Sequence, residues 1–350
     1  MDPFPKPIPR STQFNPSGDL LKQALASKFV PADPKFPPTE PPPAVNFQDL
    51  TELHKLSLEN WVSLRLTNGS LKSYDIYGRT ATRILGEPIL SAYKAQALAM
   101  RLSGIEIEKH DMCPDSHICF TSYENRDQLL KCNHRIQHRG ERTRTCELPR
   151  YKTNTSKPTR QLIRFKLIPY IRVFLANKKN ADLSRSLFRA YEEAIRMIKE
   201  GQRKFRDYAD GDTHHKHRAA GLFPEDWDMA FVVGQDGAQL RFGRQSSCWF
   251  IMLTNLNIPF ESGRLSMFST KMLMVIPGPN SPANLDSFLW PVYQELAQAS
   301  QGVWMYNGLT REWKIWHGYL VAKSGDEPCI SKVSKHVGHQ GKIYPYVDCG

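Results

Sequence analysis

Met229-Ala-Phe-Val-Val-Gly-Gln-Asp236-Gly-Ala-Gln-Leu240 is an apolar run that turns polar at an acid. The run reads as a buried strand with Asp236 near its end. A second run, Trp313-Lys-Ile-Trp-His-Gly-Tyr-Leu-Val-Ala-Lys-Ser-Gly-Asp326-Glu-Pro328, repeats the pattern and ends at Asp326. Two further strands lie between them. Cys248-Trp-Phe-Ile-Met-Leu-Thr254 is apolar and bounded by polar residues, and Met272-Leu-Met-Val-Ile276 is stopped by Pro277-Gly278-Pro279. Asn284 or Asp286 then caps a helix of roughly fifteen residues with Leu285, Phe288, Leu289, Val292 and Leu296 on one face. Pro291 falls inside that helix unless the helix starts there. Strand, strand, strand, helix, strand predicts an α/β fold.

An acid in a first strand and another at the end of a fourth is how RNase H-like nucleases hold a divalent metal. Two carboxylates so placed can bind Mg²⁺ or Mn²⁺ beside a phosphodiester. The alternative is an ordinary α/β core with two solvated acids at strand ends, and topology alone favours it.

The charge distribution points to a polyanion. The chain has 47 Lys/Arg against 35 Asp/Glu, a net charge of +12. Residues 131–179 hold 14 of the basic residues and only 2 acidic ones, which leaves 33 of each elsewhere. Aromatic and polar residues are interleaved there, as in Arg150-Tyr151-Lys152 and Arg164-Phe-Lys166. Arg142, Arg144, Arg150, Lys152, Arg160, Arg164 and Lys166 are the candidate phosphate contacts. A solvated basic surface is the other reading. Nucleic acid is indicated as a class, without a base sequence.

No apolar run approaches the roughly twenty residues of a membrane span, and Met1-Asp-Pro-Phe does not open a signal peptide. Seven cysteines, an odd number without a secretory signal, favour reduced thiols or metal ligands over disulfides. Twelve of the 25 prolines fall in residues 1–46, which reads as a disordered, Pro-rich tail. Residues 47–110 read as helical. Ile89-Leu-Ser-Ala-Tyr-Lys-Ala-Gln-Ala-Leu-Ala-Met-Arg-Leu102 is rich in helix formers and stops before Gly104.

A basic Cys/His segment occupies 111–180. Cys113, His117, Cys119, Cys132, His134, His138 and Cys146 are its candidate ligands. Cys113-x₃-His117 offers one close pair, and Cys132 with Cys146 a second. Zinc on these four would fix a stretch with few apolar residues of its own. Free thiols and surface histidines are the other reading. Cys119 reads as a packing residue. Residues 181–222 read as a connecting helix and loop. Leu183, Leu187, Ala190, Ala194, Ile198 and Phe205 lie on one helical face capped near Asp182, and His214-His-Lys-His217 reads as a loop, with metal binding as the other reading.

Several stretches together resemble a known family. They are Gly234-Gln-Asp-Gly-Ala-Gln-Leu240, Arg244-Gln-Ser-Ser-Cys-Trp249, Val275-Ile-Pro-Gly-Pro-Asn-Ser-Pro-Ala-Asn-Leu-Asp-Ser-Phe-Leu289, Leu309-Thr-Arg-Glu312, Ser324-Gly-Asp-Glu-Pro328 and Gly338-His-Gln-Gly341. Their order and spacing resemble the core of CACTA-type (En/Spm-like) DNA transposases in their fungal form. The resemblance extends upstream, where Asp111-Met-Cys-Pro-Asp-Ser-His-Ile-Cys-Phe-Thr121 and Cys146-Glu-Leu-Pro-Arg-Tyr151 look like the family's zinc-knuckle segment. It implies an RNase H-like (DDE-type) core over 223–350, with Asp236 and Asp326 as two of three catalytic acids holding Mg²⁺ or Mn²⁺. It also implies metal-dependent cleavage and strand transfer at transposon ends, a DNA partner, a second copy or a full-length transposase as protein partner, and a nuclear location.

The departures are specific. His117 stands where the family has Cys, and Cys132 and Cys146 are farther apart than the family's second pair. After Asp326 the acids are Glu327 and Asp348, neither on a plausible helix, so the third acid is missing. Tyr346 replaces one thiolate of the family's Pro-Cys-x-x-Cys, leaving His339 and Cys349. The expectation is an incomplete, inactive core behind a DNA-binding front. The alternative is a non-catalytic DNA-binding protein derived from a transposase.

Overall fold

The computed structural model describes residues 50–136, 142–239, 247–266 and 269–325. The tail over 1–46, Asp326, His339, Tyr346 and Cys349 lie outside the described residues.

Among the described residues three helices come first: α1 (Glu52–Leu66), α2 (Leu71–Leu85) and α3 (Ala92–Ser103). Each begins at a hydroxyl cap, Thr51, Ser70 and Ser91, whose side chain accepts a backbone N–H three residues on. Trp61, Leu64, Tyr74 and Ala95 form their shared core, and the Tyr74 hydroxyl donates to the Leu90 carbonyl at 2.8 Å. The third helix stops at Gly104, as its composition indicates.

The remaining chain builds a mixed sheet. Its strands are β1 (Ile107–Asp111), β4 (Gln161–Phe165), β5 (Met229–Gln239), β6 (Ser247–Asn255), β7 (Lys271–Pro277) and β10 (Gly318–Ser324), in the order β1-β4-β7-β6-β5-β10. β5, β6 and β7 are an antiparallel meander, while β10 runs parallel to β5. β2 (Arg135–Ile136) pairs with β3 (Arg144–Thr145), and β8 (Val303–Asn307) with β9 (Glu312–Trp316), as separate hairpins. Among the described residues four more helices precede β5: α4 (Leu167–Ala176), α5 (Lys178–Ser184), α6 (Ser186–Lys199) and α7 (Asp212–Ala219). A last helix, α8 (Leu285–Gln301), joins β7 to β8.

α8 is buried on nearly every side. Phe288, Leu289, Val292, Tyr293, Leu296 and Ala297 pack with Phe231, Val233, Ile251, Leu273 and Ile276 of the sheet in the largest core cluster. Asn284 is its N-cap and accepts from Ser287 N at 3.1 Å. Pro291 lies within the helix and has no N–H for the Ser287 carbonyl, which instead accepts from Thr121 Oγ1 at 3.1 Å.

Three expectations change. The run from Trp313 to Ala322 forms two strands, because the chain breaks at His317, whose N–H goes to the buried Asp228 carboxylate at 2.7 Å. Gly318 then passes so close to Trp316 and Phe231 that a Cβ would lie 2.5 Å and 2.8 Å from their rings. The helix read from Leu183 to Phe205 is likewise two, α5 and α6, hinged at Arg185. Asn177 caps the first of these, and Asp182 pairs with Arg189 instead. The chain turns away at Gly201 (φ 71°), leaving Phe205 exposed. Finally, His214 lies in α7 and is fully buried against Tyr191, Tyr208 and Phe223, so the His run is not a loop.

Candidate metal centre and basic surface

The Cys/His segment is not a separate body. β1 and β4, on either side of the candidate ligands, extend the sheet through Ile163↔Val275 and Arg164↔Met274. At the end of β1 the chain makes a tight turn. Ser116 N donates to Cys113 O and Cys113 N to Ile118 O, both at 2.9 Å, with Ser116 in the left-handed region at φ 62°. This places Cys113 and His117 side by side. Cys132 N donates to Leu148 O, Glu147 N to Cys132 O and Cys146 N to His134 O, each at 2.9 Å. That ladder sets Cys132 and Cys146 opposite each other at the root of the β2–β3 hairpin.

The four side chains converge. Their ligand atoms all lie within 4.8 Å of one another. Cys113 Sγ is 3.8 Å from Cys146 Sγ and 3.6 Å from His117 Nδ1, and Cys132 Sγ is 4.0 Å from that nitrogen. A tetrahedral zinc with bonds of about 2.3 Å to sulfur and about 2.0–2.1 Å to nitrogen requires edges of about 3.8 Å and 3.6 Å. Donor types and spacing therefore suit a metal such as zinc. Cys113 and Cys132 are buried, and Ile118 and Phe120 pack with them.

The protons in the cluster are shared. A hydrogen bond from the Cys132 thiol draws Cys113 below the ordinary thiol range, aided by the nearby His117. The same bond, with burial, holds Cys132 well above it, and burial raises Cys146. One thiolate among retained thiols is what three crowded sulfurs adopt, and a divalent cation would discharge the remaining protons. Cys119 stays outside the cluster. It is fully buried, with Sγ 3.6 Å from Asp111 O, and burial raises its pKa strongly, as befits a packing residue. No second group of three or more such ligands occurs among the described residues.

The candidate phosphate contacts divide into two sets. Arg142, Arg144 and Lys152 are exposed, as are Lys131, Arg135 and Lys157, and none of the six makes an ion pair among the described residues. The others are engaged by partners within the chain. Arg150 pairs with Asp111 at 2.8 Å, donates to Asp127 O at 2.7 Å and stacks over Phe120 and Tyr151. Arg160 donates to Pro114 O. Lys166 bridges Glu106 and Glu108 at 2.9 Å and 3.0 Å.

Arg164 turns fully inward. Its side chain is 7% exposed and donates to Glu108 at 2.6 Å, to Pro291 O at 2.8 Å and to Glu295. Strand alternation explains this. Leu162 and Arg164 share the buried face of β4, while Gln161 and Ile163 face out. Sequence reasoning missed Glu295, whose carboxylate also accepts from Leu167 N and Ile168 N at the start of α4.

Asp236 is exposed on β5, directly across from Phe250 on β6, while Gln235 before it is buried. Ser324, the last residue of β10, pairs with Gly234, so β10 ends beside the strand that carries Asp236. Neither a protein-family model nor a curated protein matches the chain.

Proposed function

We propose that this chain is a transposon-derived DNA-binding protein of the CACTA type, in which Cys113, His117, Cys132 and Cys146 hold one zinc ion at the root of a basic hairpin. The observation that carries the reading is the bracketing of β2–β3 by two ligands, Cys132 and Cys146, with Arg135, Arg142 and Arg144 between them exposed and unpaired among the described residues. Bound zinc would supply the charge that keeps the sulfurs deprotonated and the free energy that orders the segment. The four ligands then fix the hairpin base. Arg142, Arg144 and Lys152 meet phosphates, which gives affinity without base specificity. A DNA partner implies work in the nucleus.

The core supports the kinship. Its strands lie in the order third, second, first, fourth, the first three antiparallel and the fourth parallel to the first after a helix. RNase H-like cores share that arrangement, and the β8–β9 hairpin would be an insertion in it. A second reading, DNA cleavage with Mg²⁺ or Mn²⁺, is favoured by one register. β10 ends at Ser324, paired with Gly234, beside the strand that carries Asp236. We place DNA binding first, because its residues are on hand in the described structure.

Metal analysis with a DNA titration tests this reading. Protein purified under reducing conditions should carry one equivalent of zinc, and chelation should weaken duplex binding at least tenfold. Metal-free protein, or equal affinity before and after chelation, would refute it.

A further inference from the structure

We infer that the metal centre is also the clasp that fixes the N-terminus of α8 and the end of β7 to the sheet, so that metal occupancy sets the order of the sheet end bearing Asp236. This rests on the zinc reading above and goes beyond it.

The ligand turn is bonded directly to the core. The carbonyl of the ligand His117 accepts from Asn284 N at 2.8 Å, and Asn284 is the N-cap of α8. Ser116, one residue before the ligand, is fully buried. Its Oγ donates to Pro277 O at 3.1 Å, and its carbonyl accepts from Ala283 N at 3.3 Å. Ser287, in the first turn of α8, accepts from Cys119 N at 2.9 Å, and its own carbonyl accepts from Thr121 Oγ1. Trp290 Nε1 donates to Ser122 Oγ at 3.2 Å, and its ring lies 5.6 Å from that of Tyr123. Residues 116–123 thus hold 277–290 from one end to the other.

That contact lies at the Asp236 end of the sheet. Asp236 pairs with Phe250, Phe250 with Val275 and Val275 with Ile163. Two residues farther along, Ala238 pairs with Cys248 and Cys248 with Pro277, the acceptor for Ser116.

The ligands are part of the turn's own small apolar cluster. Ile118 and Phe120 pack with Cys113 and Cys132, with Leu129, Cys146 and Leu148 at its edge. Three thiols crowded around one point make the apo turn unfavourable, so order in the turn depends on the metal. Loss of order there releases the acceptors and donors that 277–290 uses, as a local opening. Linkage makes the effect reciprocal. Loosening α8 must weaken metal binding by the same factor.

Hydrogen exchange on the full chain tests the inference, after metal analysis has established that zinc is bound. Chelation should speed exchange about tenfold or more both in 111–122 and in 278–290, a drop in protection set by the opening equilibrium. The α1–α3 bundle, with its own core, should not change. Ser287→Ala should retain one zinc, raise its dissociation constant about fivefold through loss of the bond from Cys119 N and the local bond to Asn284 O, and speed exchange in 278–290 even when loaded. Cys132→Ser, which touches nothing in 277–290, should reproduce the chelated pattern if Ser287→Ala fails to fold. Faster exchange confined to 111–150 overturns the clasp and leaves the zinc reading standing. A rise spread evenly over the core, β8 and β9 included, also overturns it. A chain that never binds zinc overturns both.

Discussion

Arg164→Ala separates a structural arginine from the proposed phosphate contacts. The guanidinium is buried beneath the sheet and serves Glu108, Glu295 and Pro291 O together. Removing one member of a buried charge pair costs about 3–5 kcal/mol, chiefly by stranding the partner charge. Glu295 would keep its bonds from Leu167 N and Ile168 N at 3.0 Å and 3.2 Å, at the positive end of α4. Glu108 would keep Lys166. The cost therefore falls toward the lower limit, about 3 kcal/mol. Urea unfolding followed by tryptophan fluorescence reads it as a lower midpoint at unchanged slope. The same variant should leave the salt dependence of DNA binding alone, whereas Arg142→Ala should flatten that dependence by about 0.9 and leave stability within about 0.5 kcal/mol. Stability of Arg164→Ala within about 0.5 kcal/mol of the parent, with a flatter salt slope, would refute the inward assignment.

Acid should act through His214. Burial holds this imidazole down to about 4, from an ordinary 6.5. The unfolded chain takes up the proton first, so the stability is complete above the unfolded value and is lost as pH falls from 6.5 toward 4. The loss reaches about 3 kcal/mol at the low end. Tyr191, Tyr208, Phe223, His215 and His217 surround the ring or neighbour it, and Arg218 adds to the effect. His214→Phe should lessen the slope of stability between pH 6.5 and 4, measured by urea midpoints, and an equal slope in both proteins would count against the assignment. A weak metal site at Asp236 predicts that Mn²⁺ raises the melting temperature slightly and that Asp236→Asn abolishes the rise. An equal rise in the variant would remove Asp236 from any metal site.

Legibility followed the strength of the local pattern. β5, β6 and β7 are long apolar runs bounded by Pro, Gly or polar residues, and Asn284 carries a capping signal that the structure uses. β1 and β4 were hidden because each is five residues long, β1 has a single apolar residue, and in β4 Arg164 occupies a buried position where an apolar residue would have marked the face. The place of β4 beside β7, with β1 on its other edge, depends on pairing across more than a hundred residues, which no local window holds. The ligand quartet could be picked out by residue type, while its closure depends on the ladder Cys132–Leu148 and Cys146–His134. The basic run pointed to a polyanion as a class, yet chain position could not tell Arg142, which is exposed, from Arg164, which is buried.

The central claim is a basic hairpin, rooted in a metal centre, that grips DNA phosphates. A salt titration of duplex binding by the zinc-loaded chain tests it most directly, comparing the parent with Arg142→Ala/Arg144→Ala/Lys152→Ala. Three phosphate contacts contribute about 2.7 to the slope of log affinity against log salt. The account predicts that loss in the triple variant, with zinc content and urea midpoint unchanged. An unchanged slope in a folded, zinc-loaded variant would contradict it.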